Sequence, residues 1–343
     1  MAESNNNLKS ILNINTLKHP RKHPIDRLGI SLLNSTISPK FKKPYIFMKY
    51  IGDGIRGYIY LVQEPATKEN FVCKIIPYES REKARIKQEI ATLTKLSNHL
   101  NSKVYVVPCI DSVFDDSHNI AFTIFPLISG YKLKNIYPIL ERIKANNSKL
   151  YEAVVLYIYR QLIKALSVIH QKRVAHQNLD SSSIIISNNL RDIRRFEDIP
   201  QIEVRLINFG LSCDSRKSTC LAEPVYFMNN LNSAGNRLPS RTLKTLKPDA
   251  SLVMAQRYDI WCCGKILYEL LNSNLNLDLD LELSNDMAWY DDFTLEDRDD
   301  AGTVPRFQYF TNIIKHYMLV PLIKRKSANY ILNKTLIHEK YFR

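Results

Sequence analysis

The chain has 343 residues, of which 45% are hydrophobic and 24% charged, and its formal net charge is +14 at pH 7. This is enough apolar material for one large domain or two closely packed lobes. Its apolar runs are shorter than the roughly 18 residues of a membrane span, and the N-terminus lacks the apolar core of a secretory signal. We therefore expect neither a membrane span nor a signal peptide.

The six cysteines form no CxxC pair and no dense framework. This usage is typical of reduced thiols in a cytoplasmic or nuclear protein, and it predicts no metal site.

The charge is unevenly distributed along the chain. Residues 278–300 carry ten acidic side chains and one arginine, a net of −9, so the remainder carries +23. A basic surface of this kind can bind nucleic acid or anionic lipid. Here the basic residues are scattered and lack interleaved aromatic side chains, so a solubilising surface is favoured over a nucleic-acid interface.

The first third of the chain reads as a basic arm followed by strands and one helix. Residues 1–43 are rich in Asn, Lys, Ser and Pro without periodicity, and they are predicted to be disordered. From residue 44 the apolar residues alternate, which indicates paired strands, and residues 80–100 have the spacing of a helix. Further strands are predicted over residues 69–78, 104–116 and 119–127.

The remainder of the chain is mainly helical. Residues 150–170 and 257–271 are apolar around much of a helical circumference, which is typical of buried helices. The pattern predicts an α+β protein of two lobes, a small antiparallel-sheet lobe with one main helix and a larger helical lobe. The predicted bounds of the small lobe, linker and large lobe are 44–125, 126–130 and 131–343.

Three glycines, Gly52, Gly54 and Gly57, stand at GxGxxG spacing between two strand-like segments. Alone, this motif is equally consistent with a hairpin that binds no ligand. Further on, Lys74 lies inside the apolar strand "FVCKII" and Glu89 lies in the middle of the predicted helix. A lysine in such a strand is unexpected without an acidic partner or a phosphate, and the alternative is a surface lysine whose ammonium reaches water.

With these landmarks the sequence resembles the eukaryotic-type protein kinase family over residues 44–343, and its serine/threonine members in particular. Later landmarks follow in the family's order: "HQNL" at 176–179 for HRDL, "NFG" at 208–210 for DFG, and "YDIW" at 258–261. The resemblance implies the bilobal kinase fold. It also implies nucleotide-binding positions at Gly52, Gly54, Gly57, Ile59, Lys74 and Glu89.

The same resemblance shows four chemical groups exchanged. Asn178 replaces the catalytic aspartate that accepts the substrate proton, and a carboxamide cannot take a proton at neutral pH. Asp180 replaces the lysine that neutralises the transferred phosphate. Ser183 and Asn208 replace the two metal ligands, so magnesium binding is expected to be weak or absent.

Other departures concern regulation. Gln177 replaces the arginine that clamps a phosphorylated activation segment in many kinases. Glu223 and Asn229–Asn230 replace parts of the segment's usual ending, which removes the expected acidic partner of Arg325. An insertion follows at residues 231–256.

The resemblance therefore predicts a catalytically inactive kinase-like protein, a pseudokinase, that regulates or scaffolds a protein partner, for example an active kinase, and that can bind ATP weakly. One alternative is an atypical active serine/threonine kinase that uses Asp180 as its base. The other is a nucleic-acid-associated scaffold. Among the cysteines, Cys213 and Cys220 are expected to be more exposed than Cys262 and Cys263, which lie in the predicted central helix of the large lobe.

Overall fold

The structure, a computed structural model, describes residues 36–37, 41–54, 57–99, 102, 104–214, 248–272, 306–319 and 324–336. The chain divides into two compact units. Unit 1 comprises Met1–His99 and Val107–Tyr131, and unit 2 comprises Leu100–Val106 and Lys132–Arg343. The predicted linker of residues 126–130 lies within unit 1, and unit 2 resumes at Lys132.

In its described residues, unit 1 is an antiparallel sheet with one helix, α1 (Ser80–Ser97). The strand order is β1-β2-β3-β4-β6-β5. The strands are β1 (Thr36–Ile37), β2 (Tyr45–Gly54), β3 (Gly57–Gln63), β4 (Asn70–Pro77), β5 (Asp111–Asp115) and β6 (Ile120–Pro126). The predicted small lobe with an antiparallel sheet and one main helix is confirmed.

The two faces of this sheet carry different side chains because strand residues alternate between faces. On β4, Phe71, Cys73 and Ile75 belong to an aromatic-rich core cluster and are at most 6% exposed. Ile76, at the end of the same strand, packs in a second cluster with Ile86 of α1. Burial on both faces explains why β4 reads as an almost continuous apolar run.

The ordered part of unit 1 begins earlier than predicted. Thr36 and Ile37 pair with β2, and the Lys43 ammonium lies 3.2 Å from Glu64. The ring of Phe41 is only 8% exposed and meets the ring of Tyr45 edge-on at 5.5 Å. Because the residues around Phe41 are mostly polar, their composition predicts disorder although this one ring is buried. The disorder predicted for residues 1–35 and 38–40 concerns residues outside the described part.

The strand predicted over residues 104–116 is shorter, since β5 begins at Asp111. Pro108 cannot donate a ladder hydrogen bond. Within unit 2, Val106 instead forms an isolated parallel bridge with Leu206, and Val104 is 54% exposed. The apolar composition of this run therefore reflects separate buried contacts and not one strand.

Unit 2 is mainly helical, as predicted. Besides short 3-10 turns, its described helices are α2 (Tyr137–Asn146), α3 (Ser148–Gln171), α4 (Pro248–Asn272), α5 (Arg306–Ile313), a π-helical turn (Ile314–Met318) and α6 (Ala328–Leu336). Short strands accompany them: β7 (Gly130–Lys132), whose last residue begins this unit, β8 (Val174–Ala175), β9 (Ile184–Ser187), β10 (Val204–Leu206) and β11 (Cys213–Asp214). β9 pairs antiparallel with β10, and β8 with β11.

Helix α3 forms the core of unit 2. The Asn147 side chain caps it by accepting a hydrogen bond from the Leu150 amide at 3.0 Å, which satisfies one of the unpaired amides of the first turn. By length and composition alone α3 could cross a membrane. However, 67% of its apolar window is buried inside the protein, and a buried core helix meets the same criterion.

Helix α4 is longer than predicted. It begins at Pro248, so residues 248–256 of the predicted insertion belong to it. Proline is favourable at a helix start because its missing amide would be unpaired there. Residues 231–247, like Glu223 and Asn229–Asn230, lie outside the described part of the chain.

Candidate functional site

The glycine motif lies where β2 turns into β3. Gly54 pairs with Gly57, and Gly52 pairs with Ile59. A Cβ added to Gly57 would overlap the carbonyl oxygen of Ile75 on β4. Gly57 is therefore required by the close approach of two strands, whether or not a ligand binds.

The other two glycines have different constraints. Gly52 has a φ of +154°, a conformation that favours glycine. A Cβ added to Gly54 would make only ordinary contacts, 3.4 Å from the Gly57 oxygen and 3.5 Å from the Ile59 side chain. Neither strand packing nor backbone conformation requires glycine at position 54.

The predicted ion pair is present within unit 1. The Lys74 ammonium on β4 lies 3.3 Å from Glu89 Oε1 on α1, with side-chain exposures of 15% and 9%. Lys74 also pairs in the sheet with Ile59 and with Thr123. The contact ties α1 to the sheet and holds a positive charge in place. This geometry is consistent with a Lys74 ammonium that contacts a nucleotide phosphate. It is equally consistent with an ion pair that only holds α1 against the sheet.

In unit 2, a buried carboxylate holds the loop that contains "HQNL". The backbone amides of His176 and Gln177 each donate to the Asp259 carboxylate at 2.7 Å, and His170 Nε2 lies 3.0 Å from it. Asp259 is 0% exposed. Amide donors to a buried carboxylate form strong, charge-assisted hydrogen bonds, so Asp259 fixes this loop.

His176 holds the next part of the loop. Its Nε2 lies 2.9 Å from the carbonyl oxygen of Ile207, and its Nδ1 accepts from the Asn178 amide at 3.2 Å. These partners place the proton on Nε2. The ring also meets that of Phe209 edge-on at 4.6 Å. His176 thus joins the loop of Asn178 to the segment of Asn208.

Asn208 adopts a left-handed conformation, with φ +67° and ψ +52°. Asparagine tolerates this region better than most residues. Asn208 and Asn178 are half-buried. At each of these positions the structure has a neutral carboxamide where the family pattern has a carboxylate.

Asp180 acts as the acceptor of a tight turn. Its Oδ1 accepts from the Ser182 amide at 2.8 Å, the Ser182 hydroxyl at 2.7 Å and the Ser183 amide at 2.7 Å. Such a turn is typical of aspartate followed by serines. The carboxylate is therefore already hydrogen-bonded within its own loop.

Ser183 is engaged in the same turn. Its hydroxyl donates to the Asp180 carbonyl at 2.8 Å and accepts from the Asp180 amide at 2.8 Å, and the residue is 0% exposed. With Ser183 occupied in this way and Asn208 uncharged, the residues do not fit a magnesium ion, which prefers charged oxygen ligands. Among the described residues, no group of three or more His, Cys, Asp or Glu side chains could hold a metal ion.

Two residues of the predicted regulatory positions are buried. Gln177 is 6% exposed with a φ of +59°, and its Nε2 has no hydrogen-bond partner in the described part of the chain. Arg325 is 3% exposed, lies 5.8 Å from the centre of the Trp261 ring and donates to the Arg257 carbonyl at 3.4 Å. The cation is thus held in part by a ring and a carbonyl.

Cys262 and Cys263 agree with expectation, Cys213 does not, and Cys220 lies outside the described part of the chain. Cys262 and Cys263 are buried, and burial raises the pKa of Cys262 to about 12. Cys213 was expected to be reduced and more exposed than Cys262 and Cys263, but it is 5% exposed, against 8% for Cys262, and it is disulfide-bonded. Pairing of β11 with β8 packs Cys213 against Ala175, which explains its burial. The cytoplasmic or nuclear localisation stays a prediction.

Lys132 and Lys134, which belong to no predicted site, flank the buried Leu133. The Lys134 amide donates to the Ser181 carbonyl at 3.1 Å. Both lysines are exposed beside the turn of Asp180. The alternation of lysine, leucine and lysine, which begins two residues after the end of the predicted linker, indicates such a pair.

Comparison with known proteins identifies the family. A sequence model described as the protein kinase domain matches residues 45–337, and the chain belongs to the protein kinase domain family. It is 24% identical over 235 residues to the phosphorylase b kinase gamma catalytic chain, liver/testis isoform, of Bos taurus, covering 68% of this chain and 52% of that protein. Calcium-dependent protein kinase 4 of Plasmodium berghei is 23% identical over 251 residues, covering 72% and 40%.

A solved structure supports the fold. The kinase domain of a Toxoplasma gondii specific rhoptry antigen matches with a TM-score of 0.52 and 14% sequence identity, covering 87% of this chain and 84% of that one. The predicted α+β kinase fold is therefore confirmed. The chain spans about half the length of the first curated relative it matches.

Proposed function

We propose that this chain is a kinase-fold protein that transfers no phosphate and acts by binding and regulating a protein partner. One observation carries the proposal: the Asp180 carboxylate and the Ser183 hydroxyl are both used as hydrogen-bonding groups of a turn. Neither is set up to act as a base or to bind a metal. Asn178 supplies no base, and loss of a positioned base alone costs about 10²–10⁴-fold in rate.

The charge at position 180 supports the same conclusion. The family pattern has a lysine there, and a cation stabilises the charge that develops on the transferred phosphoryl group. An aspartate reverses the sign of this interaction. Because these groups act on one transition state, their losses do not simply add. Restoring Asn178 to aspartate alone is therefore expected to recover no activity.

The proposal includes weak, magnesium-independent ATP binding in unit 1. Lys74, fixed by Glu89, would contact the phosphates, and Gly54 leaves space for a close approach of phosphate to the backbone. Gly54 supports this role because neither strand packing nor its own conformation requires glycine there. Gly57 carries no such information, since strand packing alone explains it.

The experiment combines a phosphoryl-transfer assay with thermal-shift titrations of the full chain with ATP, in magnesium and in chelator. We expect no transfer above background and ATP stabilisation that persists in chelator. Gly54→Ala and Lys74→Ala should reduce the ATP-induced shift. In Gly54→Ala the melting temperature without ATP should stay unchanged, whereas Gly57→Ala should lower it.

Two results would contradict parts of the proposal. Magnesium-dependent phosphoryl transfer that Asp180→Ala abolishes would establish the atypical kinase. If neither phosphoryl transfer nor stabilisation by ATP were observed, the ATP-binding part of the proposal would be wrong. The chain would then be a protein-binding scaffold in which the Lys74–Glu89 pair is structural.

A further inference from the structure

Helix α6 and the π-helical turn of unit 2 bring tyrosine rings and lysine ammonium groups together. The rings of Tyr317 and Tyr330 meet edge-on at 5.4 Å. The ammonium groups of Lys326 and Lys334 lie 5.3 and 5.9 Å from the centre of the Tyr330 ring, which is within the range of a cation–π interaction. The Tyr309 hydroxyl donates to the carbonyl oxygen of Lys334 at 3.2 Å. We call these five residues the tyrosine–lysine cluster.

Backbone hydrogen bonds hold the cluster in place. The Lys326 amide donates to the Tyr317 carbonyl at 3.1 Å, and the Tyr330 amide donates to the Ser327 hydroxyl oxygen at 3.2 Å. Lys334 follows Tyr330 by four residues within α6, so both side chains lie on one face of the helix. The three tyrosines are partly exposed, and Lys326 is exposed. Rings and positive charges are thus presented together.

The stretch that contains the cluster is basic. Residues 306–336 include six lysine and arginine side chains and no aspartate or glutamate. The pairing of lysine with a tyrosine ring recurs there, since the Lys315 ammonium lies 5.6 Å from the centre of the Tyr268 ring. Successive members of the cluster are four to nine residues apart along the chain. The fold therefore interleaves basic and aromatic side chains that form no continuous run in the sequence.

We propose that the tyrosine–lysine cluster binds single-stranded nucleic acid. Bases would stack on the partly exposed tyrosine rings, and the lysine ammonium groups would contact the adjoining phosphates. This inference goes beyond the proposed function and does not depend on it.

The composition of the cluster favours a single strand over other anionic partners. Strong binding of a duplex takes roughly 6–10 phosphate contacts, whereas the cluster has two lysines. The carboxylates of an acidic peptide would pair with the ammonium groups and leave the tyrosine rings without a partner. A single strand offers both an anionic backbone and open base faces, and proteins that bind it combine the same two kinds of side chain.

The test measures the fluorescence anisotropy of labelled strands of about 12 uridines or about 12 thymidines with the full chain, a length that one such surface can cover. The two strands distinguish RNA from DNA as the source of the same base and phosphate chemistry. Lys326→Gln/Lys334→Gln removes both charges of the cluster. The matched control is Lys149→Gln/Lys164→Gln, which removes two exposed lysines of the same unit and changes the net charge equally.

We expect the natural chain to bind with a dissociation constant of about 1–100 μM at physiological salt, as in non-specific nucleic-acid binding. Each phosphate contact on a single strand contributes about 0.7 to the slope of log affinity against log salt. Lys326→Gln/Lys334→Gln should therefore reduce this slope by about 1.4, and the control pair should leave it nearly unchanged.

A second set of variants tests the ring of Tyr330. Tyr330→Leu should weaken binding about fivefold to 150-fold, the effect of one lost stacking contact. Tyr330→Phe keeps the ring and should bind within about twofold of the natural chain. Phe196→Leu removes a ring of the same unit that is 50% exposed and lies outside the cluster, and it should leave binding unchanged. If Tyr330→Leu lowers the melting temperature, the lysine variant, which keeps the ring, still tests the surface.

Three outcomes would overturn the proposal. The first is no binding of either strand, and the second is an equal loss in both lysine variants, which would indicate unspecific attraction to a basic chain. The third is displacement by polyglutamate as effective as displacement by unlabelled strand at equal charge. An acidic protein segment would then be the occupant of the surface. A loss in Tyr330→Phe as large as that in Tyr330→Leu would likewise contradict stacking on the ring.

Discussion

Replacement of Phe41 by alanine should destabilise unit 1, although the residue lies in a segment whose composition predicts disorder. The ring is 8% exposed and meets the rings of Tyr45 and Phe122 edge-on at 5.5 and 6.2 Å. Truncation of a buried phenylalanine costs about 3–5 kcal/mol. We expect a loss of about 3 kcal/mol, at the lower end of this range, because Phe41 is the first described residue of the core cluster in chain order.

The measurement is thermal and urea unfolding of Phe41→Ala against Phe196→Ala, whose ring is 50% exposed. For a unit of this size the loss should lower the melting temperature by roughly 6 °C or more, while Phe196→Ala should leave it nearly unchanged. Two truncated chains extend the test. A chain that begins at residue 36 should be as stable as the full chain, and one that begins at residue 44 should lose at least as much as Phe41→Ala.

If Phe41→Ala and Phe196→Ala had the same melting temperature and the same urea midpoint, the Phe41 ring would not stabilise unit 1. A chain beginning at residue 44 that kept full stability would likewise restore residues 1–43 as a dispensable arm.

Three further predictions concern other described residues. Asp259→Asn should destabilise unit 2 by about 3 kcal/mol in urea unfolding, because an amide replaces a buried acceptor of charge-assisted hydrogen bonds; unchanged stability would contradict its role. Hydrogen bonds from Ser117 and His118 hold the pKa of Asp115 at about 2, below 3.8, so this group stabilises the fold above pH 3.8 and the contribution is lost as pH falls through about 2. Ser117→Ala should raise that pKa in an NMR titration, and no change would exclude the hydrogen bond as cause. Cys262 should react with a thiol reagent only after unfolding, since it is buried with a raised pKa; early labelling would contradict its burial.

The sequence predicted the features of the fold that depend on pattern. Alternation gave the sheet of unit 1, helical spacing gave α1 and α3, and an otherwise unexplained lysine in an apolar strand pointed to the pair of Lys74 and Glu89. These succeed because each rests on local periodicity or on the high cost of burying an unpaired charge.

The features that the sequence did not predict depend on tertiary contacts and not on local pattern. Residues 104–110 look like a strand because apolar composition does not distinguish a ladder from separate buried contacts. Phe41 was assigned to the disordered segment of residues 1–43 because a single buried aromatic residue does not change the composition of a polar segment. At Asp180 the sequence indicated a reversed charge, but its use as a turn acceptor depends on where the amides of Ser182 and Ser183 point.

That turn makes the change at position 180 hard to reverse. A lysine restored at this position cannot accept the three hydrogen bonds that Asp180 Oδ1 accepts. The substitution that would return the family's charge would therefore also loosen the loop that must carry it. The lysine of the family pattern and the turn that this loop forms therefore exclude each other at position 180. Any substitution of Asp180 changes the local backbone hydrogen bonding of the loop together with its charge.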